Sequence, residues 1–287
     1  MKEKFKVAFA YDFDGTLAPG NMQEHKFIPE LGIGKHEFWQ EANKKAKEND
    51  MDEILAYMEL MLEKAEERNI SIKKESFTDY GKSIKFFNGV ETYFDRINKY
   101  ADERNIILEH HIISSGLREF VKGTVIAKNF RNIFASGFKY NAEGVAEWPA
   151  LAINYTNKTQ YLYRINKGID NSYDNTLINK FVPYEERPIP FTNMVYIGDG
   201  ETDVPAMKMI KYQMGTAIAV YNPKNKVLPN GKSLKEQCLE LIKQNRADYI
   251  APADYSEGSE LDIIIKLVID KISAENLLKE IALGNMQ

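Results

Sequence analysis

The 287-residue chain has 44% hydrophobic and 28% charged residues and no long low-complexity run, which excludes a disordered protein. A formal net charge of −4 argues against a surface built for nucleic acid, and the single cysteine, Cys238, excludes an internal disulfide. A charged N-terminus that leads into a strand, with no apolar stretch of spanning length and no signal pattern, predicts a cytoplasmic protein that does not engage membranes.

The first predicted element is an apolar strand from Phe5 to Tyr11, which runs into Asp12-Phe13-Asp14-Gly15-Thr16. Pro19-Gly20 then opens a charged, helical region over residues 20–105. Within it, Ile54, Tyr57, Met58, Met61, Leu62 and Ala65 have the spacing of a buried helix stripe, and Val90, Tyr93, Phe94, Ile97 and Tyr100 predict a second helix from Val90 to Arg104. Ile106 to Ile113 reads as a strand with His110 and His111 as strand residues, followed by Ser114-Ser115-Gly116 and a helix through Ala127. Asn132 to Ser136 is a further strand, and Gly137 to Val145 has the alternation and glycine turn of a hairpin. A helix starts near Lys158. Residues 165–192, with Pro183, Pro188 and Pro190, exceed a minimal connection and suggest no function. Met194 to Ile197 is a strand that reaches Gly198-Asp199-Gly200-Glu201-Thr202-Asp203, and strands follow over Thr216–Tyr221 and Ala247–Ile250, with Cys238 as inert core in the helix between them. Strands alternating with helices predict an α/β fold with a parallel sheet, in which ligands sit beyond the carboxyl ends of the strands. The acidic and hydroxyl clusters all fall at such ends.

Asp-x-Asp at a strand end offers a carboxylate and a carbonyl to a hard cation and leaves a second carboxylate for proton transfer. On this reading Asp12 attacks phosphorus, and Asp14 protonates the leaving oxygen and then takes a proton from water. Attack by one anion on another requires charge compensation, which Mg²⁺ held by Asp12, the backbone carbonyl of Asp14 and Asp199 would supply, with Asp203 as a further ligand or an orienter. Ser114, with the backbone N–H groups that follow from Ser115, can grip a phosphate oxygen, and Lys158 can balance charge in the transition state. Each has an ordinary alternative: a turn for Asp14-Gly15, a cap for Ser114 and for the Asp199 turn, a solvated lysine for Lys158.

Taken together and in this order, Asp12-x-Asp14-Gly15-Thr16-Leu17, Ser114, Lys158, and Asp199 with Asp203 resemble the four motifs of the haloacid dehalogenase superfamily. The likeness covers residues 1–18 and about 106–253. It implies a three-layer Rossmann-like parallel-sheet core, residues 1–18 and 106–287, with an α-helical cap of the first-position (C1) type over residues 19–105. It also implies a phosphatase or phosphotransferase, since an aspartate two residues after the nucleophile accompanies phosphate transfer in that family. The expected activity is Mg²⁺-dependent hydrolysis of a small phosphomonoester through an aspartyl phosphate; the alternatives are phosphoryl transfer to another acceptor and a non-catalytic Mg²⁺- and phosphate-binding regulator. The runs Ile133 to Tyr140 and Asn157-Lys158-Thr159 are similar to the phosphoserine phosphatase branch. That branch holds its amino acid with a glutamate soon after the first motif and a cap arginine, for which Glu24 and Arg68, Arg96 or Arg104 are available here. The partner is thus expected to be a small phosphorylated metabolite, its leaving group and the oligomeric state being left open.

Overall fold

The structure, a computed structural model, describes residues 4–224, 231 and 233–284. Its centre is β1 (Phe5–Tyr11), whose residues from Val7 to Tyr11 are all buried because both faces of the strand are covered. β1 pairs in parallel with β2 (Ile106–Leu117) on one side and β5 (Met194–Gly198) on the other. The sheet continues outward through β3 (Phe130–Tyr140) and the antiparallel β4 (Ala146–Leu151), and through the parallel β6 (Thr216–Tyr221) and β7 (Tyr249–Pro252), in the order β4-β3-β2-β1-β5-β6-β7. Strand order reverses at β1. Its carboxyl end therefore opens into the crevice where α/β sheets place their ligands.

Alternate residues of β1 enter different cores. Val7, Phe9 and Tyr11 pack with α5 (Val90–Asp102), α11 (Glu260–Gly284) and the segment between β1 and α5, which carries α1 (Phe27–Glu30), α2 (Lys35–Asn49), α3 (Glu53–Glu67) and α4 (Lys74–Gly81). Ala8 and Ala10 face α7 (Lys158–Lys167), α9 (Val204–Tyr212) and α10 (Leu234–Lys243). Three layers result, as the alternation of strands and helices predicts. Cys238 is buried on α10 and its thiol is pushed up to about 12 by burial, which fits inert core.

One helix lies elsewhere than expected. The region predicted as cap extends to residue 105, but α5 packs on the sheet: the rings of Tyr93 and Phe94 meet those of Tyr11 and His110, and the Tyr11 and Tyr93 hydroxyls are 3.0 Å apart. An amphipathic stripe shows that a helix has a buried face but not which layer receives it. His110 belongs to the same core. Its Nδ1 lies 2.9 Å from the Tyr11 hydroxyl and its Nε2 3.0 Å from Asn98 Oδ1, while burial lowers its pKa to about 3, so it is a neutral strand residue.

The helix after Ser115 is also shorter than predicted. β2 persists through Leu117 after a register shift, and α6 covers only Arg118–Gly123, which lies so close to α4 that a Cβ on Gly123 would sit 1.8 Å from the Thr78 carbonyl oxygen. β7 begins two residues later than expected, and α11, unanticipated, buries Leu261, Ile265 and Ile269 and pairs Asp262 with Arg96 and Asp270 with Arg104. The long 165–192 connection contains α8 (Asn175–Asn179) and is held by Arg164, which donates from inside the protein to the carbonyls of Asn171, Ser172 and Asp174.

The segment between β1 and α5 leaves and rejoins the core at one place. Phe87 N–H donates to the Leu17 carbonyl at 3.0 Å, and Tyr255 clasps both sides, its hydroxyl donating to the Thr16 carbonyl and its N–H to that of Asn88. No helix among the described residues is long and apolar enough to cross a membrane.

Candidate active site

The sheet ladder runs one residue beyond β1, with Asp12 N–H donating to the Ile197 carbonyl at 2.9 Å, so Asp12 is fixed over the carboxyl edge. The chain then turns sharply: Leu17 N–H bonds to the Phe13 carbonyl and Gly15 N–H to that of Ala18. Asp14 projects from this turn, with Oδ1 accepting the Met22 N–H at 2.8 Å. Gly15 sits at φ +74°, and a Cβ there would lie 1.9 Å from Asp199 Oδ2. Only glycine satisfies both constraints. Gly15→Ala is expected to displace Asp199, costing about 1–3 kcal/mol in backbone strain and clash and reducing turnover roughly 100-fold through lost alignment. Chemical denaturation and steady-state rates on the same preparation would check both.

Lys158, the first residue of α7, is buried with its ammonium 3.0 Å from Asp12 Oδ1 and 2.7 Å from Asp203 Oδ1. Asp203 is fully committed. Its Oδ1 also accepts the Tyr196 hydroxyl at 2.6 Å and its Oδ2 the Asp199 N–H at 3.0 Å. Ser114 Oγ accepts the Gly116 N–H at 3.0 Å, so it stabilises its own turn; α6 begins later, after Leu117. Ser115 Oγ is buried without a hydrogen-bond partner, and its carbonyl accepts the Tyr57 hydroxyl at 2.7 Å.

Four carboxylates thus surround one ammonium. Enclosure in protein raises the pKa of Asp12 to about 6, against the pull of Lys158 and with the push of Asp203. Enclosure first and the charge of Asp12 second hold Asp14 well above the usual carboxylate range, and enclosure with Asp203 and Asp12 does the same for Asp199. Burial works against the charge on Lys158, but Asp12 and Asp203 outweigh it and keep the amine protonated. One oxygen each of Asp12, Asp199 and Asp203 lie within 4.8 Å of one another. Excess negative charge on hard oxygen donors fits a divalent cation such as Mg²⁺.

Asp12, Asp14, Ser114, Ser115, Lys158 and Asp199 line one cavity of about 430 Å³. Asp203 is fully buried and adjoins the cavity through Lys158. A family model for haloacid dehalogenase-like hydrolases matches residues 9–208, and in that span these side chains converge. The chain belongs to the haloacid dehalogenase-like hydrolases.

This hydrolase is 29% identical over 283 residues to an uncharacterized protein of Borreliella burgdorferi, a match that covers 89% of the present chain and 93% of its relative. Among solved structures it resembles a hydrolase of the same family from Salmonella enterica serovar Typhi, with a TM-score of 0.57 at 16% identity, covering 91% of this chain and 70% of that one. It also resembles a phosphoserine phosphatase captured as a phospho-aspartyl intermediate analogue, with a TM-score of 0.53 at 16% identity, covering 92% and 99%. A probable phosphoserine phosphatase from Vibrio cholerae gives 0.56 at 11% identity, covering 94% and 67%. At these identities the likeness is one of fold.

The glutamate and arginines suggested by the phosphoserine phosphatase resemblance do not reach the cavity of this hydrolase. Glu24 is held by Asn21, Trp39 and Lys35, Arg96 by Asp262 and the Tyr255 carbonyl, and Arg104 by Asp270; Arg68 caps the outer end of α3. Residues that sequence reasoning passed over do contribute. Tyr196 orients Asp203, and a tyrosine directly before Ile197-Gly198-Asp199 in an otherwise aliphatic strand was the available signal. Tyr57, predicted as part of a core stripe, is buried and also lines the cavity.

Proposed function

We propose that this hydrolase is a Mg²⁺-dependent phosphatase that cleaves a small phosphomonoester through an aspartyl phosphate on Asp12. The observation that carries this reading is the pairing of Asp12 with the Lys158 ammonium at 3.0 Å on the wall of a cavity that Asp14 shares. The two carboxyls sit in different surroundings. The ammonium favours the ionised, nucleophilic form of Asp12, whereas the raised pKa of Asp14 favours the protonated form a general acid needs. Asp12, the backbone carbonyl of Asp14 and Asp199 would hold the metal, which neutralises phosphate charge when bound. Asp203 acts by position: it fixes the Lys158 ammonium and the Asp199 backbone.

In the first step an oxygen of Asp12 forms a bond to phosphorus as the bond to the leaving oxygen breaks, and Asp14 delivers its proton to that oxygen. In the second, Asp14 takes a proton from water, which attacks the same phosphorus and releases Asp12 and inorganic phosphate. Lys158, the Ser115 hydroxyl and the Ser115 N–H hold the phosphoryl oxygens.

An aryl phosphate should be hydrolysed with Mg²⁺ and not with a chelator, with recovery when Mg²⁺ is added back. Hydrolysis in ¹⁸O-labelled water should place the label in phosphate. Label missing from phosphate, with transfer to an added alcohol, would identify a phosphotransferase; Mg²⁺ binding with no turnover on any ester would identify a binding protein.

A further inference from the structure

Part of the cavity lining is built from residues with no assigned part in the chemistry. Trp39, Tyr57 and Tyr155 line it, and each has its polar tip engaged elsewhere: the indole N–H donates to Glu24 at 2.9 Å, and the hydroxyls donate to the Ser115 carbonyl and to Glu53 Oε2, both at 2.7 Å. What remains for a ligand is ring surface. Trp39 and Tyr57 meet nearly at right angles, 72° with centroids 5.7 Å apart, and form an aromatic corner. Aromatic faces carry partial negative charge and attract cations.

One acceptor lines the same cavity. Glu53 has no cationic partner among the described residues, its one observed contact being the Tyr155 hydroxyl. Gln23 also lines the cavity and is 1% exposed, with its Oε1 closed off inside the protein. Lys158 is the one cationic side chain lining the cavity among the described residues, and Asp12, Asp203 and the phosphoryl group take up its charge.

From this arrangement we infer that the leaving group of the substrate is a short alkylammonium alcohol, its charged nitrogen seated among Trp39, Tyr57, Tyr155 and Glu53. A second carboxylate or phosphate on the substrate would instead meet Glu53 and ring faces, so anionic leaving groups are disfavoured. The inference rests on the phosphatase reading for turnover, but the cation subsite can be tested without it.

The full-length protein with Mg²⁺ would be assayed on 2-aminoethyl phosphate, on propyl phosphate as its neutral isostere, and on phosphoglycolate as an anionic counterpart. We expect kcat/KM for the ammonium ester to exceed that for propyl phosphate by about tenfold or more. Glu53→Gln should shrink that ratio, and phosphoglycolate should be the poorest of the three. Equal or better use of propyl phosphate or phosphoglycolate overturns the inference. Independently of turnover, calorimetry should show ethanolamine binding to the wild-type protein and weaker binding to Glu53→Gln and Trp39→Leu. Ethanolamine binding without hydrolysis of any ester would sustain the subsite and sink the phosphatase; hydrolysis of aryl phosphate without ethanolamine binding or ammonium preference would do the reverse.

Discussion

Asp12→Asn is expected to leave a folded protein that has lost turnover by about 10⁴-fold or more, the scale on which removal of a covalent nucleophile registers. The amide keeps the shape of the side chain and an oxygen that can still accept from the Lys158 ammonium, now 3.0 Å from Asp12 Oδ1. What it lacks is the negative charge and electron pair that form the bond to phosphorus. Stability should change by less than about 1 kcal/mol, because the protein loses one of several carboxylates crowded around one ammonium and keeps the ammonium paired with Asp203. Rates on aryl phosphate, together with urea midpoints, check both parts. A variant that turned over at the wild-type rate would remove Asp12 from the chemistry.

Lys158→Met should behave in the opposite way and lose stability as well as activity. The ammonium is 1% exposed and is the partner of both Asp12 and Asp203. Its removal strands their charge, and breaking a buried pair from one side typically costs about 3–5 kcal/mol. Asp203 has other donors, the Tyr196 hydroxyl and the Asp199 N–H, so it keeps part of its compensation, whereas Asp12 loses its ammonium. Adding Asp203→Asn to Lys158→Met should therefore return part of the lost stability without restoring turnover. A single variant as stable as the wild type in urea would show that this ammonium does not hold the carboxylates in place. The contrast between the two substitutions is informative because the same ion pair is cut from each side.

The chemical half of the site was legible because it rests on residue type at strand ends. Asp12, Asp14, Ser114, Ser115 and Asp199 come from distant parts of the chain, yet a parallel sheet delivers the ends of its strands to one edge, so knowing the strands locates these residues, while Lys158 enters from the start of α7. Lys158 was the hardest of these to read, since an ammonium at the start of a helix is ordinarily solvated and only its burial beside two carboxylates marks it out. The recognition half was not legible. Trp39 and Tyr57 face the cavity through the way α2 and α3 pack together, a tertiary outcome that helical spacing does not encode. Glu24 shows the converse: a glutamate at a suggestive position whose carboxylate is consumed by Trp39, Asn21 and Lys35. The misplaced layer of α5 and the unanticipated α11 have a common cause, because these two helices bury against each other, with Arg96 on Asp262 and Arg104 on Asp270 between them.

The hydrogen bond from Phe87 to Leu17, clasped by Tyr255, makes the intervening stretch a closed excursion of the chain: it departs and returns at a single point. A stretch tied off in this way is an exchangeable module. The aromatic corner and Glu53 lie inside it, while Asp12, Lys158 and Asp199 lie outside, so recombination at Leu17 and Phe87 would exchange the proposed ammonium subsite in one event. The catalytic residues would keep their places, but the incoming stretch would have to refit α6, which α4 meets where Thr78 faces Gly123.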